Sequence, residues 1–390
     1  MISLEEGRRL IAQAVPKLGT VAVPLAEAQG RLLAEDVRAD AWYPSGDRAT
    51  MDGYALRKDA VPGDFKVVGE IQAGAVPAKP LASGEAMRIF TGALVPEGGG
   101  RVVPQEICER KADMVRIAEL PENLFIRLKG HEAGPGTAVV VEGTRLGATE
   151  LAMLAQVGEV MPMVTRLPVI RHVATGSELV APDAKPPEGM IRDTNSTLVA
   201  ALVAAHGGAS LQSFRCGDDP AALAAICAEP CDLLLISGGA SVGDYDFGAR
   251  VLRELGFKIH FDKVNLRPGK PLTFATRGGQ AAFVIPGNPV SHFVCFHVAI
   301  RLALEMMAGE ARPWELVELP LAGGEPLRPD ARETFWPARV EAEEGRLVVR
   351  PQPWSTSGDT FSLLRTNALM LVNQGSPMEG VAKTLLLAAL

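Results

Sequence analysis

The residues of this 390-residue chain best suited to chemistry gather where apolar runs break off. CDLLLIS enters GGASVGDYD, a turn built on Gly238, Gly239, Ser241 and Gly243 that closes with Asp244 and Asp246. LPVIRHVA enters TGSEL, which sets Glu178 just past the run, and AAFVI enters PGNPVS, residues 286–291. GDDP adds Asp218, and RPGKP adds Arg267 and Lys270. Glycine lacks a Cβ, so such a loop lets the backbone approach a ligand closely. Carboxylates are hard oxygen donors, and Mg²⁺ is usually held by one or two of them with water and substrate phosphates. Glu178, Asp218, Asp244 and Asp246 are the candidate ligands. A PGNP turn that opens a helix presents backbone N–H groups and a helix N-terminus to an anion. The inventory describes Mg²⁺-assisted chemistry on a phosphate-bearing substrate.

Each segment also has a plainer reading. The glycine turn lacks the G-K-[ST] of a P-loop, PGNP is compatible with an ordinary proline-started helix, and Asp219 before Pro220 reads as an N-cap. Their convergence on the same rim of one sheet favours a site. No Ser-His-Asp or Cys-His arrangement assembles with comparable economy. The five cysteines form no C-x-x-C pair, which fits reduced thiols better than a disulfide framework or a zinc site. His292 and His297, five apart, fall on different helix faces.

The elements that must carry these loops follow from apolar periodicity. From Leu167 to about Met307, strands (LPVIRHVAT, ASLQSF, CDLLLIS, AAFVI) alternate with helices over 194–206, 219–228, 247–255 and 289–307. Near-continuous apolar strands are buried on both faces, so the expectation is an open α/β domain with a mostly parallel sheet and ligands beyond the strands' C-terminal ends. Upstream, Ser3-x-x-Glu6 is a capping-box pattern before a helix, and the spacing predicts a second helix over 25–37. From Phe65 to about Leu128, short apolar runs separated by Gly, Pro and Asp describe a β-rich insert. A helix over 144–158 follows, and strands return after Pro313. The expected division is a discontinuous helical N-terminal domain (1–43 and 137–166), a β-rich second domain (44–136), the α/β domain (167–312) and a C-terminal β domain (313–390).

A formal charge of −7 without a long Lys/Arg run argues against nucleic acid or an anionic membrane as the main partner. MISLEEGRRLIAQAV has acids before its basic pair and no continuous apolar stretch, so it does not read as a secretory signal. VAALVAA at 199–205 is far short of the ~20 residues a spanning helix needs. The expectation is a cytoplasmic protein.

Taken as a set, DRATMDGYAL (47–56), RIFTGALVP (88–96), VVPQE (102–106), ATGSELV (174–180), GMIRDTNS (189–196), GDDPAAL (217–223), SGGASVGDYD (237–246), RPGKP and PGNPVS resemble the molybdopterin molybdenumtransferases, whose architecture the C-terminal domain of gephyrin shares. The resemblance runs from about residue 3 to 390. It implies an elongated, four-domain homodimer, with each active site between the α/β domain of one subunit and the second domain of the other. The implied reaction inserts molybdate into adenylylated molybdopterin and releases AMP with the help of Mg²⁺. Carried over by position, Asp52, Thr91, Glu178, Asp218 and Asp246 are the catalytic candidates. Gly238, Gly239, Ser241, Gly243, Lys270, Pro286, Gly287, Asn288, Pro289 and Ser291 would line the pterin and phosphate site. Arg267, Lys270 and the PGNP backbone are the candidate molybdate contacts. Ala49 stands where a serine is usual, Ser177 where an aspartate is frequent, Pro104 and Ile107 flank Gln105-Glu106, and Glu132 sits in a slightly altered segment. Contact with a molybdopterin adenylyltransferase and with molybdoenzymes is a further implication. The competing readings are a non-catalytic scaffold of the same fold and a molybdopterin adenylyltransferase.

Overall fold

All five side chains of Leu233–Ser237 are buried, because this strand lies at the centre of a sheet covered on both faces. The computed structural model describes residues 1–239, 247–310, 315–323, 327–373 and 380–387. The sheet is ordered Ser210–Cys216, Val169–Thr175, Leu233–Ser237, Gln280–Ile285, Thr273–Arg277, Lys258–Phe261. Its first three junctions are parallel and its last two antiparallel. Leu233 and Leu235 face a core that includes Val199 and Val203 of the Asn195–Ala205 helix and Val294 and Val298 further on. Leu234 and Ile236 face the opposite core, with Leu223 and Cys227 of the Pro220–Ala228 helix and Val251 and Leu252 of Phe247–Glu254. Alternate side chains of one apolar run thus serve two layers.

The two antiparallel strands lie outside the sequence reading. Arg277 and Gln280 pair across Gly278-Gly279, a two-residue glycine turn of the kind that joins hairpins, and that dipeptide is the signal in the sequence. Pro289–Ala308 is the only described helix long and apolar enough to cross a membrane. It is a core element, with 78% of its most apolar window buried inside the fold.

By internal packing the chain forms two compact units: Met1–Val21, Gly30–Leu32 and Val164–Leu390 make one, Ala22–Gln29 and Leu33–Met163 the other. The first holds the α/β sheet and a second, C-terminal sheet of strands Leu266–Arg267, Glu333–Glu343, Ala368–Val372, Val381–Leu386 and Val317–Pro320, with Arg346–Pro351 paired to Glu333–Glu343. It also holds the Leu4–Ala14 helix, which is capped as its sequence foretells: Ser3 Oγ accepts from the Glu6 N–H at 3.1 Å. Leu4 and Ile11 enter the same core as Val298.

The second unit is built on a six-stranded sheet ordered Gly99–Pro104, Gly53–Arg57, Glu85–Ile89, Gly63–Ile71, Met114–Ile117, Cys108–Lys111. Ala55, Met87 and Val102 pack on one face of it, and Tyr54, Ala86 and Val103 on the other. The Ala148–Gln156 helix belongs to this unit. The helix expected over 25–37 is not there. Leu25–Glu27 makes one 3-10 turn, Gly30 turns the chain at φ 74°, and Val37–Arg38 pairs with Ala138–Val140 as strands. The Leu33 N–H, which a helix would have used locally, donates instead to the carbonyl of Thr144.

Candidate active site

The order of the α/β sheet reverses at Val169–Thr175, whose neighbours on its two sides are Ser210–Cys216 and Leu233–Ser237. At such a switch point the crossing helices diverge, opening a crevice beyond the strands' carboxyl ends. An open cavity of about 890 Å³ lies there. Thr175, Gly176 and Glu178 line it from the end of the first strand, Ser237, Gly238 and Gly239 from the central strand, and Pro286–Pro289 from the next. Asp218 joins them after the neighbouring strand.

The loops are tied to one another. The Gly238 N–H donates to the Ile285 carbonyl at 3.0 Å. Gly238 has φ 93°, and a Cβ there would stand 2.5 Å from the Thr175 carbonyl oxygen, so the position needs glycine on both counts. Asn195 Nδ2 donates to the Gly287 carbonyl at 2.7 Å, and Asn288 Nδ2 to Ser357 Oγ at 2.9 Å. Ser177 and Asp218 exchange two bonds: the Ser177 N–H donates to Asp218 Oδ2 at 3.2 Å, and the Asp218 N–H to Ser177 Oγ at 3.1 Å. Asp219 caps the following helix by accepting from the Ala221 and Ala222 N–H groups, so of the adjacent acids only Asp218 faces the cavity.

Of the sequence candidates, Glu178, Asp218, Gly238, Gly239, Pro286, Gly287, Asn288 and Pro289 meet at this cavity. Ser291 is buried in the helix that PGNP opens. Arg267 has a different place. The strand Leu266–Arg267 pairs with Glu333–Glu343 of the C-terminal sheet, and the guanidinium donates to the Arg328 carbonyl, sits 3.6 Å from Asp330 Oδ2 and covers the Trp354 ring. Lys270 is half-buried beside the lining residue Pro271, with its carbonyl accepting from the Val264 N–H. Ser241, Gly243, Asp244 and Asp246 lie outside the described residues.

Asp52 and Thr91 sit in the second unit and form a tight pair. Asp52 Oδ1 accepts from both the N–H and the Oγ1 hydroxyl of Thr91, each at 2.7 Å. Those bonds favour the ionised form, and together with the nearby Arg88 they hold the carboxyl below its ordinary range. Arg88 donates to the Gly53 carbonyl at 2.9 Å and to Gln105. Gly53 is forced by the sheet: a Cβ there would lie 2.0 Å from the Val103 carbonyl oxygen. The singular texture of MDGYAL thus has a steric cause in its glycine and an electrostatic one in its aspartate.

Sequence reasoning missed part of the wall. Asp193 and Asn195 line the cavity. Asp193 takes the Ser196 N–H and hydroxyl at 3.0 and 2.6 Å, a visible start signal for the Asn195–Ala205 helix. The amide oxygen of Asn195 is buried with no partner among the described residues. Gly358 and Thr360, far along the chain, also line the cavity, because the Val290 N–H is bound to the Ser357 carbonyl. Nothing in TSGDT distinguishes it from a surface loop.

Three family models match the chain: the MoeA N-terminal region (domain I and II) over residues 2–158, a probable molybdopterin binding domain over 171–306, and the MoeA C-terminal region (domain IV) over 323–380. The chain is 35% identical to a molybdopterin molybdenumtransferase of Nostoc sp., covering 100% of this chain and 94% of that relative. It is 30% identical to one from Bacillus subtilis, over 96% and 91%. The solved structure of the molybdopterin biosynthesis MoeA protein of Pyrococcus horikoshii, 26% identical, superposes over 100% of both chains with a TM-score of 0.82.

Proposed function

The chain belongs to the molybdopterin molybdenumtransferase family, and we propose that it inserts molybdate into adenylylated molybdopterin with release of AMP in a Mg²⁺-dependent step. It is a transferase of molybdenum cofactor biosynthesis. One observation carries the finer reading: the 890 Å³ cavity in which carboxylates, close-approach glycines and a helix-opening turn converge. Its volume is that of a small-molecule site, roughly 300–1,000 Å³.

The roles follow from the groups present. Gly238 and Gly239 bring backbone close to the phosphates; at the helix opened by Pro289, which has no N–H, the Val290 N–H is bound to the Ser357 carbonyl, so the donors this turn offers an anion are the N–H groups of Gly287 and Asn288. Lys270, beside the cavity wall, and the PGNP backbone are the oxyanion contacts in this reading, with Arg267, 3.6 Å from Asp330, a further candidate. The donor set for Mg²⁺ fits: Glu178 and Asp218 both face the cavity, and one or two carboxylates with substrate phosphates are the usual complement. No third acid, histidine or cysteine joins them in a metal-sized cluster among the described residues. Glu178 and Asp218 would hold Mg²⁺ there, where it would supply charge neutralisation for a phosphate leaving group. Asp52, held ionised by Thr91, orients water or the oxyanion in this reading. The resemblance further supports a homodimer in which Asp52 and Thr91 of one subunit complete the cavity of the other.

The test is AMP release from adenylylated molybdopterin on adding molybdate and Mg²⁺, with the oligomer's mass measured in parallel. Stoichiometric AMP supports the transferase. A folded protein that binds the pterin and never releases AMP is a non-catalytic binder, and ATP consumption without molybdate marks an adenylyltransferase.

A further inference from the structure

Beneath the glycine loop lies a buried group of polar side chains that no part of the proposed chemistry uses. Ser237, the last residue of the central strand, has its hydroxyl 2.5 Å from His172 Nε2 and 2.9 Å from His292 Nε2. His172 lies on the adjacent strand, Val169–Thr175, and His292 on the helix that PGNP opens. His292 Nδ1 is 3.3 Å from the Pro286 carbonyl oxygen. All three residues are 2% exposed or less.

Their donors and acceptors can be assigned. A carbonyl only accepts, so His292 Nδ1 carries the proton that goes to Pro286. A neutral imidazole has one N–H, which leaves His292 Nε2 as an acceptor for the Ser237 hydroxyl. That hydroxyl, having spent its proton, accepts from His172 Nε2–H. The remaining His172 nitrogen, Nδ1, is then a bare acceptor, and it is the atom of that ring with no partner among the described residues. Burial holds both rings neutral, as the assignment requires.

The chain of bonds therefore has one direction, from His172 to Ser237 to His292 to the Pro286 carbonyl. It links both walls of the cavity. Ser237 is covalently joined to Gly238, and Pro286 to Gly287, whose Cβ position would be 3.6 Å from Gly238 Cα. Thr175 Oγ1 donates to the Ser237 carbonyl at 3.1 Å, tying in the strand that leads to Glu178.

We propose that His172, Ser237 and His292 are positioning residues that set the spacing between the Gly238-Gly239 and Pro286–Pro289 loops, and with it the fit of a phosphate-bearing ligand. This rests on the reading of the cavity as an adenylate site. AMP, titrated calorimetrically into the full-length protein with Mg²⁺, is the probe. Ser237→Ala and His292→Leu each weaken AMP binding about tenfold, the loss expected when a buried hydrogen bond and its geometry go. His172→Gln stays within about twofold of wild type, because an amide N–H replaces the single bond that His172 makes. Should His292→Leu fail to fold, Ser237→Ala, which removes one oxygen, still decides. The ligand-independent readout is ¹⁵N-labelled histidine and glycine: His292 shows the Nδ1–H tautomer, His172 the Nε2–H tautomer, and Ser237→Ala moves the Gly238, Gly239 and Gly287 amide resonances. Wild-type AMP affinity in a folded Ser237→Ala, or glycine amides that stay in place, overturns the proposal. A wild type that takes no AMP refutes the adenylate reading instead, while the tautomers and amide shifts continue to judge the chain of bonds.

Discussion

Lowering the pH from 7 to 5 should strip stability from the first unit through its histidines. Burial pushes His172 down to about 3, His292 to about 4 and His297 to about 3, all below the 6.5 of an exposed imidazole. Below pH 6.5 the unfolded chain gains protons that the folded chain refuses, so stability declines with falling pH until the folded rings themselves titrate. Between pH 7 and 5 each such ring removes about 2 kcal/mol, and three remove roughly 6 kcal/mol. That is comparable with the whole stability of many domains, about 5–15 kcal/mol. The assay is urea unfolding at pH 7, 6 and 5, followed by tryptophan fluorescence in a Trp42→Phe background that leaves reporters only in the first unit. His297→Phe isolates one ring. His297 packs against Phe293 and Phe296 and neither of its nitrogens has a partner among the described residues, so phenylalanine fits the chemistry and should raise stability at pH 7. It should also remove about a third of the acid loss. An unfolding midpoint that does not move from pH 7 to 5, or a His297→Phe variant with the full wild-type pH dependence, would show that these rings are not held neutral.

Asp52→Asn should leave both units folded and cut turnover by about 10²-fold, the scale of losing an electrostatic catalytic group. Thr91→Val removes one of the bonds that depress the Asp52 carboxyl, so the acid limb of the pH–rate profile should shift upward, and an unmoved limb takes Asp52 out of the role. Gly53→Ala forces a Cβ against the Val103 carbonyl and should cost the second unit about 3 kcal/mol or more, read by calorimetric unfolding. Gly238→Ala combines strain at φ 93° with a clash against Thr175, and should abolish AMP binding while lowering the melting temperature.

What the sequence revealed and what it hid divide along physical lines. The Gly238-Gly239 and PGNP loops were legible because glycine and proline mark where the backbone must turn, and apolar runs mark the strands that feed them. The Leu25–Val37 stretch was misread because its apolar spacing suits a helix, while its N–H groups are satisfied from across the unit, as Leu33 is by Thr144. The surroundings of Arg267, a candidate anion contact by its charge and its place in RPGKP, depend on Asp330 and Trp354, more than sixty residues away, and no local pattern announces that proximity. The same holds for Gly358 and Thr360, which reach the cavity only because the C-terminal sheet and the α/β sheet share one compact unit.

The histidines are the sharpest case. Helical spacing separates His292 from His297 and says nothing of His172, so from the sequence they look unconnected. Parallel register decides otherwise: Val173 pairs with Ile236, Ala174 with Ser237, and Ser237 with Ile285, which delivers His172 and His292 to opposite sides of one hydroxyl. Their neutrality also bears on how the cavity attracts an anion. A protonated imidazole beneath the glycine loop would supply positive charge at a heavy desolvation cost. Neutral rings supply direction without charge. The attraction for phosphate then falls to the backbone N–H groups of the loops, to the cationic side chains at the rim, Arg192 in the cavity wall and Lys270 beside Pro271, and to the cation that Glu178 and Asp218 can hold. On this division of labour, substitutions in the histidine chain should change how well a ligand fits while leaving the salt dependence of its binding unaltered, whereas loss of either carboxylate should change both.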